Sequence, residues 1–237
     1  VKGRGAMGCP DGANRITDAG LAGLAPYRVD NAVIMAAGMS SRFAPLSYEK
    51  PKALLKVKGE VLIEREIRQL QAAGIDDITV VVGYMKEKLF YLEDRFHVKI
   101  VINEDYHRYN NPSTLMLVRD RLKNTFICSS DNYFEQNPFE PYVYQAYYAS
   151  LYSAGKTDEY CMVTNRKGRI TGVQVGGRDA WYMIGHAYFD RSLSEKSTQT
   201  LEREYDRPVT RAGPWADPAP RPLHQPELNL RQYPARH

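Results

Sequence analysis

Cysteine is scarce in this chain: Cys9, Cys128 and Cys161 are the only three in 237 residues, far apart and odd in number. None has a partner at C-x-x-C spacing, which excludes a disulfide framework and a zinc site and fits a reducing cytoplasm. Long apolar runs are also missing. The longest, residues 32–38, falls far short of the roughly 20 residues that cross a bilayer, and the first twenty residues hold no signal core, so a cytoplasmic protein with no membrane partner is expected. Charge is not of one sign: 32 Lys and Arg against 28 Asp and Glu leave only +4, too little for this chain alone to bind nucleic acid by bulk charge. No period or heptad suggests a fibrous or repeat protein. What is present, 43% apolar and 25% charged residues, supports a buried core in one full domain with a fragment beside it.

Composition divides the chain into residues 1–30, 31–207 and 208–237. The opening segment is rich in Gly and Ala and reads as a linker or remnant, with one capped helical turn at residues 16–24, Thr17 or Asp18 serving as the cap. From Asn31 onward, β-branched runs alternate with helical patterns. Residues 32–36, 78–82, 98–102 and 126–128 read as strands, and residues 61–73, 86–95 and 113–122 as helices between them. Three such steps predict a mostly parallel sheet covered by helices on both faces, a three-layer Rossmann-like α/β domain. Beyond Pro141 the runs 142–151, 160–164, 170–175 and 181–188 predict a mixed or antiparallel second half, with a turn at residues 165–168 and a helix at about 192–204. The stretch 208–237 carries half of the 14 prolines and no lysine. It reads as a disordered or surface-draped tail, or as a domain end replaced through a change of reading frame.

The chemistry is expected just after the first strand. Ala36, Ala37, Gly38, Ser40 and Ser41 form a small-residue loop whose backbone N–H groups can converge on phosphate oxygens, at the strand end where such sheets bind ligands. The loop is neither G-x-x-x-x-G-K nor G-x-G-x-x-G. Two cations follow: Arg42, with a fork suited to phosphate, and Lys52, a compact ammonium able to neutralise charge on a transferring phosphoryl group. Asp131, at the end of the fourth strand, has the carboxylate that Mg²⁺ takes alongside phosphate oxygens, or is an Asx turn closing the strand. Seventeen tyrosines supply aromatic faces of the kind that recognise quaternary ammonium groups, though on strands most should be core. His186 reads as a satisfied sheet residue.

The run A-A-G-x-x-S-R-F-x-P-L at residues 36–46, followed by K-P-K-x-L-L at residues 50–55, resembles the signature of nucleotidyltransferases that activate sugar phosphates and alcohol phosphates. Ser40-Ser41 departs from it, standing where the commoner form has a glycine. Val82-Gly83-Tyr84, Tyr109-Asn110-Asn111 and Ser130-Asp131-Asn132-Tyr133-Phe134 resemble bacterial CTP:phosphocholine cytidylyltransferases in particular. That resemblance, covering residues 32–205, implies an Mg²⁺-dependent transfer of CMP from CTP to phosphocholine or a similar phospho-alcohol, in cell-surface polysaccharide or lipid precursor synthesis. It implies catalytic roles for Arg42 and Lys52, nucleotide contacts from the loop and from Gly83, Tyr84, Asn110 and Asn111, and an acceptor site drawing on Tyr160, Trp181 and Tyr188. The metal would be held by Asp131 and a later acid beside a tryptophan, for which Asp217 in Trp215-Ala216-Asp217 is the candidate. The remnant before Asn31 resembles the end of a winged-helix domain. A sugar-1-phosphate enzyme using UTP or dTTP, an inactive nucleotide-binding regulatory module, and a homodimer all stay open.

Overall fold

A computed structural model describes residues 7–8, 15–39, 46–107, 111–204 and 228–233. The opening segment contributes a short hairpin, β1 (Met7–Gly8) and β2 (Arg15–Ile16), and α1 (Asp18–Leu24). The Thr17 side chain caps α1 by accepting from the Gly20 N–H at 3.2 Å.

The domain proper starts with β3 (Asn31–Ala36), then α2 (Leu46–Glu49), a 3-10 turn at Lys52–Leu54, and the small hairpin β4 (Lys56–Val57) and β5 (Glu60–Val61). Next come α3 (Leu62–Ala72), β6 (Ile78–Val82), α4 (Tyr91–Phe96), β7 (Lys99–Ile102), α5 (Asn111–Leu117) and β8 (Thr125–Ser129). Two very long strands follow, β9 (Tyr147–Thr164) and β10 (Ile170–Phe189), then α6 (Arg191–Glu204) and β11 (Asn229–Gln232).

The main sheet has the order β11-β9-β10-β8-β3-β6-β7. β8, β3, β6 and β7 are mutually parallel, β10 runs antiparallel to β8 and β9, and β11 runs parallel to β9. Of the seven, only β10 is reversed, so the second half is less antiparallel than its alternating runs suggest. Alternation on the parallel strands sorts the core into two layers. Ala32, Ile34, Val80 and Val82 face Ile63, Ile67 and Leu70 of α3 and Leu92 and Phe96 of α4, whereas Val33, Val81 and Ile127 face Leu115 of α5 and Leu193 and Leu201 of α6. Each fully buried Val, Ile or Leu among them contributes about 1.5–3 kcal/mol. Helices on both faces make the expected three-layer α/β fold.

Three expectations need correction. The four runs after Pro141 are limbs of one hairpin, β9 and β10, which bends on itself. Cys161 bridges both Gln174 and Tyr182, and the returning tip meets β11, where the Leu230 N–H donates to the Gly168 carbonyl at 3.0 Å. The helix read at residues 86–95 is divided into a 3-10 turn, Lys86–Leu89, entered from a left-handed Met85, and α4. Finally, the tail is not structureless throughout. Asn229–Gln232 return as an edge strand anchored by buried Leu228.

Candidate active site

Because β3 has β6 on one side and β8 on the other, the chain reverses its direction of travel across the sheet at β3, and open α/β sheets bind their ligands in the crevice outside the carboxyl ends of the strands at such a reversal. Three loops meet there. The Tyr84 N–H donates to the Ala37 carbonyl at 3.1 Å, and the Ser130 N–H to the Met35 carbonyl at 3.4 Å, so the end of β3 and the start of its loop are tied to the loops after β6 and β8. Ala36 and Ala37 are buried and Gly38 is exposed at the mouth. Gly83 is required by close approach: a Cβ there would stand 2.7 Å from Tyr106 Cβ and 2.9 Å from the Ala37 carbonyl oxygen. Tyr84 and Tyr106 lie beside it with ring centres 6.4 Å apart.

Lys52 and Asp131, separated by 79 positions, are brought together, with Lys52 Nζ 2.7 Å from Asp131 Oδ2. Both side chains are about one-quarter to one-third exposed, so the pair stands at the crevice rather than in the core. The turn carrying Asp131 is docked on β10, where the Asn132 amide donates to the Ile184 carbonyl at 2.7 Å. The neighbouring Gly185, at φ 70°, lets β10 pass Ser129, whose Oγ a Cβ would meet at 2.2 Å. On the far side Asn103, buried at the end of β7, donates to Ser113 Oγ at 3.2 Å and Thr114 Oγ1 at 3.0 Å, pinning α5 to the sheet.

Behind the pair lies a buried polar layer. The Glu66 carboxyl of α3 is 2% exposed beside the Cys128 thiol, and burial, then the charge of Asp131, pushes its pKa well up. Burial next to Glu66 likewise raises the Cys128 thiol. His186 is fully buried, with Cys128 Sγ 3.8 Å from its Nδ1 and the Tyr147 hydroxyl 3.3 Å from its Nε2. Its ring stacks on Phe126 and meets Phe134, Phe139 and Tyr233 at angles. Burial, with a smaller push from Arg231, lowers its pKa to about 3, so it is a neutral core group as expected.

The acceptor candidates separate. Tyr188 is completely buried between Phe126 and Tyr147, and cannot touch a ligand; this overturns its assignment to the acceptor site, since its place on β10 turns it into the core. Trp181 is partly exposed on β10, in edge contact with Tyr152 at 5.3 Å, three positions from the Ile184 carbonyl that holds the Asp131 turn. Tyr160 stands opposite Val175 on the returning limb of the hairpin. Arg42, Ser40, Ser41, Asn110 and Asp217 lie outside the described residues, as does the side chain of Asn111, whose backbone opens α5. Sequence reasoning missed Asn103, Gly185, Glu66 and Tyr152. A lone Asn closing an apolar strand was the visible signal for the first; a Glu inside the apolar stripe of α3 was the signal for the third.

The comparisons with known proteins agree with this architecture. Residues 32–204 match the MobA-like NTP transferase domain. The choline-phosphate cytidylyltransferase of Streptococcus pneumoniae is 33% identical over 73% of this chain and 76% of its own length. The 2-aminoethylphosphonate cytidylyltransferase of Lancefieldella rimae is 34% identical over 74% and 73%. The solved CTP:phosphocholine cytidylyltransferase of Streptococcus pneumoniae superposes with a TM-score of 0.76 at 29% identity, covering 87% of this chain and 90% of that one. With three βαβ steps inside the matched span, this chain belongs to the MobA-like NTP transferase family and is a nucleotidyltransferase.

Proposed function

We propose that the protein transfers the cytidylyl group of CTP to phosphocholine, giving CDP-choline and pyrophosphate. The observation that carries this reading is the Lys52–Asp131 pair, brought together across 79 positions at the carboxyl end of the parallel strands, with Asp131 next to Ser130, whose N–H donates to the Met35 carbonyl of β3. The similarity to enzymes named for cytidylyl transfer supports the choice of nucleotide and acceptor.

No covalent intermediate is needed. An oxygen of the acceptor phosphate forms the new bond to the α-phosphorus while the bond from that phosphorus to the pyrophosphate oxygen breaks, and the electron pair leaves with pyrophosphate. The loop at residues 36–42 grips the polyphosphate through backbone N–H groups and Arg42. Lys52 neutralises the charge that builds on the transferring group, a preorganised contribution of about 3–4 kcal/mol. Gly83 and Tyr84 line the base. Trp181, with Tyr152 against it and Tyr160 nearby on the hairpin, offers aromatic faces to the trimethylammonium, each about 0.5–2 kcal/mol.

The residues present fit Mg²⁺. Asp131 supplies a partly exposed carboxylate, the kind of donor an ion uses that takes one or two carboxylates and completes its shell with phosphate oxygens and water. Asp131, together with Asp217, would hold it, and when bound it supplies neutralisation of the triphosphate.

The test is pyrophosphate release by Lys52→Ala with CTP and phosphocholine. Turnover is expected to fall about 100-fold or more, and near-normal release would overturn the role of Lys52. The same assay run with 2-aminoethylphosphonate and glucose 1-phosphate, each with CTP and UTP, tests the substrates: preference for the sugar or for UTP would overturn them.

A further inference from the structure

Lys52 and Asp131 belong to two segments with little regular structure of their own. Lys52 opens the stretch of 3-10 turn and small hairpin that ends at Val61, and Asp131 opens the irregular stretch at residues 131–136. A single side chain on the intervening helix reaches both. Arg65 of α3 donates from Nε to the Phe134 carbonyl at 3.0 Å and from Nη2 to the Phe134 and Glu135 carbonyls at 2.7 and 2.9 Å. Through Nη1 it binds the Glu60 carboxylate on β5. Its guanidinium lies 4.7 Å from the centre of the Tyr133 ring, and the side chain is only 18% exposed.

Two further contacts repeat the same tie. Gln69, one turn along α3, donates to the Phe134 carbonyl at 3.0 Å, and Lys58 of the hairpin turn pairs with Glu135. The segment after Asp131 is thus sewn both to α3 and to the segment after Lys52, and the Arg65 side chain binds both segments at once, through the Phe134 and Glu135 carbonyls and the Glu60 carboxylate. A planar fork of five N–H donors can do this; an ammonium donates from one point and cannot span Glu60 and two carbonyls together.

We infer that Arg65 is a positioning residue for cytidylyl transfer, holding Asp131 at its place opposite Lys52 by fixing the turn that carries it. The inference rests on the proposed roles of Lys52 and Asp131. Arg65 touches no substrate and acts through Asp131. Loosening that turn by an ångström or so is expected to cost about 10- to 100-fold in turnover.

A double-substitution cycle tests it. Arg65→Ala, Asp131→Asn and the pair are compared in pyrophosphate release, with melting followed for each. Arg65→Ala is expected to lose about 10- to 100-fold, yet to add little to the loss already caused by Asp131→Asn, because a residue acting through Asp131 has nothing left to position. Guanidinium ion added to Arg65→Ala should restore part of the turnover, and Arg65→Lys, which keeps the charge and the packed stem, should fall between Ala and wild type. A loss in Arg65→Ala smaller than about threefold, or losses that simply add, would overturn the positioning role. Should the Ala variant fail to fold, the same cycle with Arg65→Lys decides by the same criteria. Normal turnover in Asp131→Asn alone would instead overturn the site reading on which the inference stands.

Discussion

His186 gives the protein a measurable acid weakness whose size follows from its surroundings. The ring is sealed among Phe126, Phe134, Phe139, Tyr147 and Tyr233, its nitrogens face a thiol and a phenol, and Arg231 lies near enough to disfavour a second cation. In the folded chain it stays neutral down to about pH 3, whereas unfolding returns it to its ordinary value of 6.5. The unfolded state therefore binds a proton that the native state refuses, and stability is lost as the pH falls below 6.5. At about pH 5 the loss is some 1.5 pH units at about 1.4 kcal/mol each, close to 2 kcal/mol, and it does not depend on where below about pH 4 the native ring titrates. Glu66 acts in the opposite sense over the same range. Burial, then the charge of Asp131, raises its carboxyl well above the 4.5 it has when unfolded, so it costs stability as the pH rises past 4.5. The two slopes offset each other in the wild type, and the informative quantity is a difference. Urea unfolding of wild type and His186→Asn between about pH 7.5 and about pH 5 should show the wild type losing about 2 kcal/mol relative to the variant. Asp77, held low by Lys99 and Arg121, matters only below this window. A pH-independent difference between the two proteins would refute the claim that His186 is locked in its neutral form.

How far the fold was legible depends on how local its causes are. The strand at residues 78–82 was read with its true ends because an unbroken β-branched run lies between a glycine and a turn, and α3 was placed to within a residue at each end because Leu62, Ile63, Ile67 and Leu70 repeat at helical spacing. The bent hairpin was not legible. What makes β9 and β10 fold back is a set of glycines and a left-handed Asp179, whose carboxylate accepts from the Gly155 N–H at 2.7 Å across 24 positions. In sequence these look like breaks between separate strands. β11 was hidden for a related reason: four residues in a proline-rich stretch form a strand only because β9 offers an edge.

The candidate site divides the same way. Its loop and the residue types of Lys52 and Asp131 could be found by spacing along the chain, since phosphate chemistry constrains which groups follow a strand. Their partnership, and everything that supports it, is long-range. Arg65 on α3, Asn132 reaching to β10 and Asn103 holding α5 are ordinary polar residues until the sheet order places them beside one another. Tyr188 shows the converse error: its residue type suited a choline cage, but β10 turns it into the core.

Two further perturbations bear on the layers under and beside the crevice. Glu66→Gln should be more stable than wild type near neutral pH in urea unfolding, with the gap closing as the pH falls toward 4.5, because the amide cannot ionise on unfolding; a gap that widens on acidification would contradict the protonated carboxyl. Gly83→Ala is the sharper test of the nucleotide end. A methyl there overlaps Tyr106 Cβ at 2.7 Å and the Ala37 carbonyl at 2.9 Å, both well inside contact distance, and the second neighbour is backbone that cannot rotate away. The cost should be about 1–3 kcal/mol of stability. The strain falls on the carbonyl that accepts from the Tyr84 N–H, so the loops after β3 and β6 must part. Calorimetry with CTP should then show affinity falling by about tenfold or more, as loss of a preorganised contact of about 1.4 kcal/mol or more requires. Unchanged CTP affinity in a folded Gly83→Ala would mean that these two loops do not together form the nucleotide cradle.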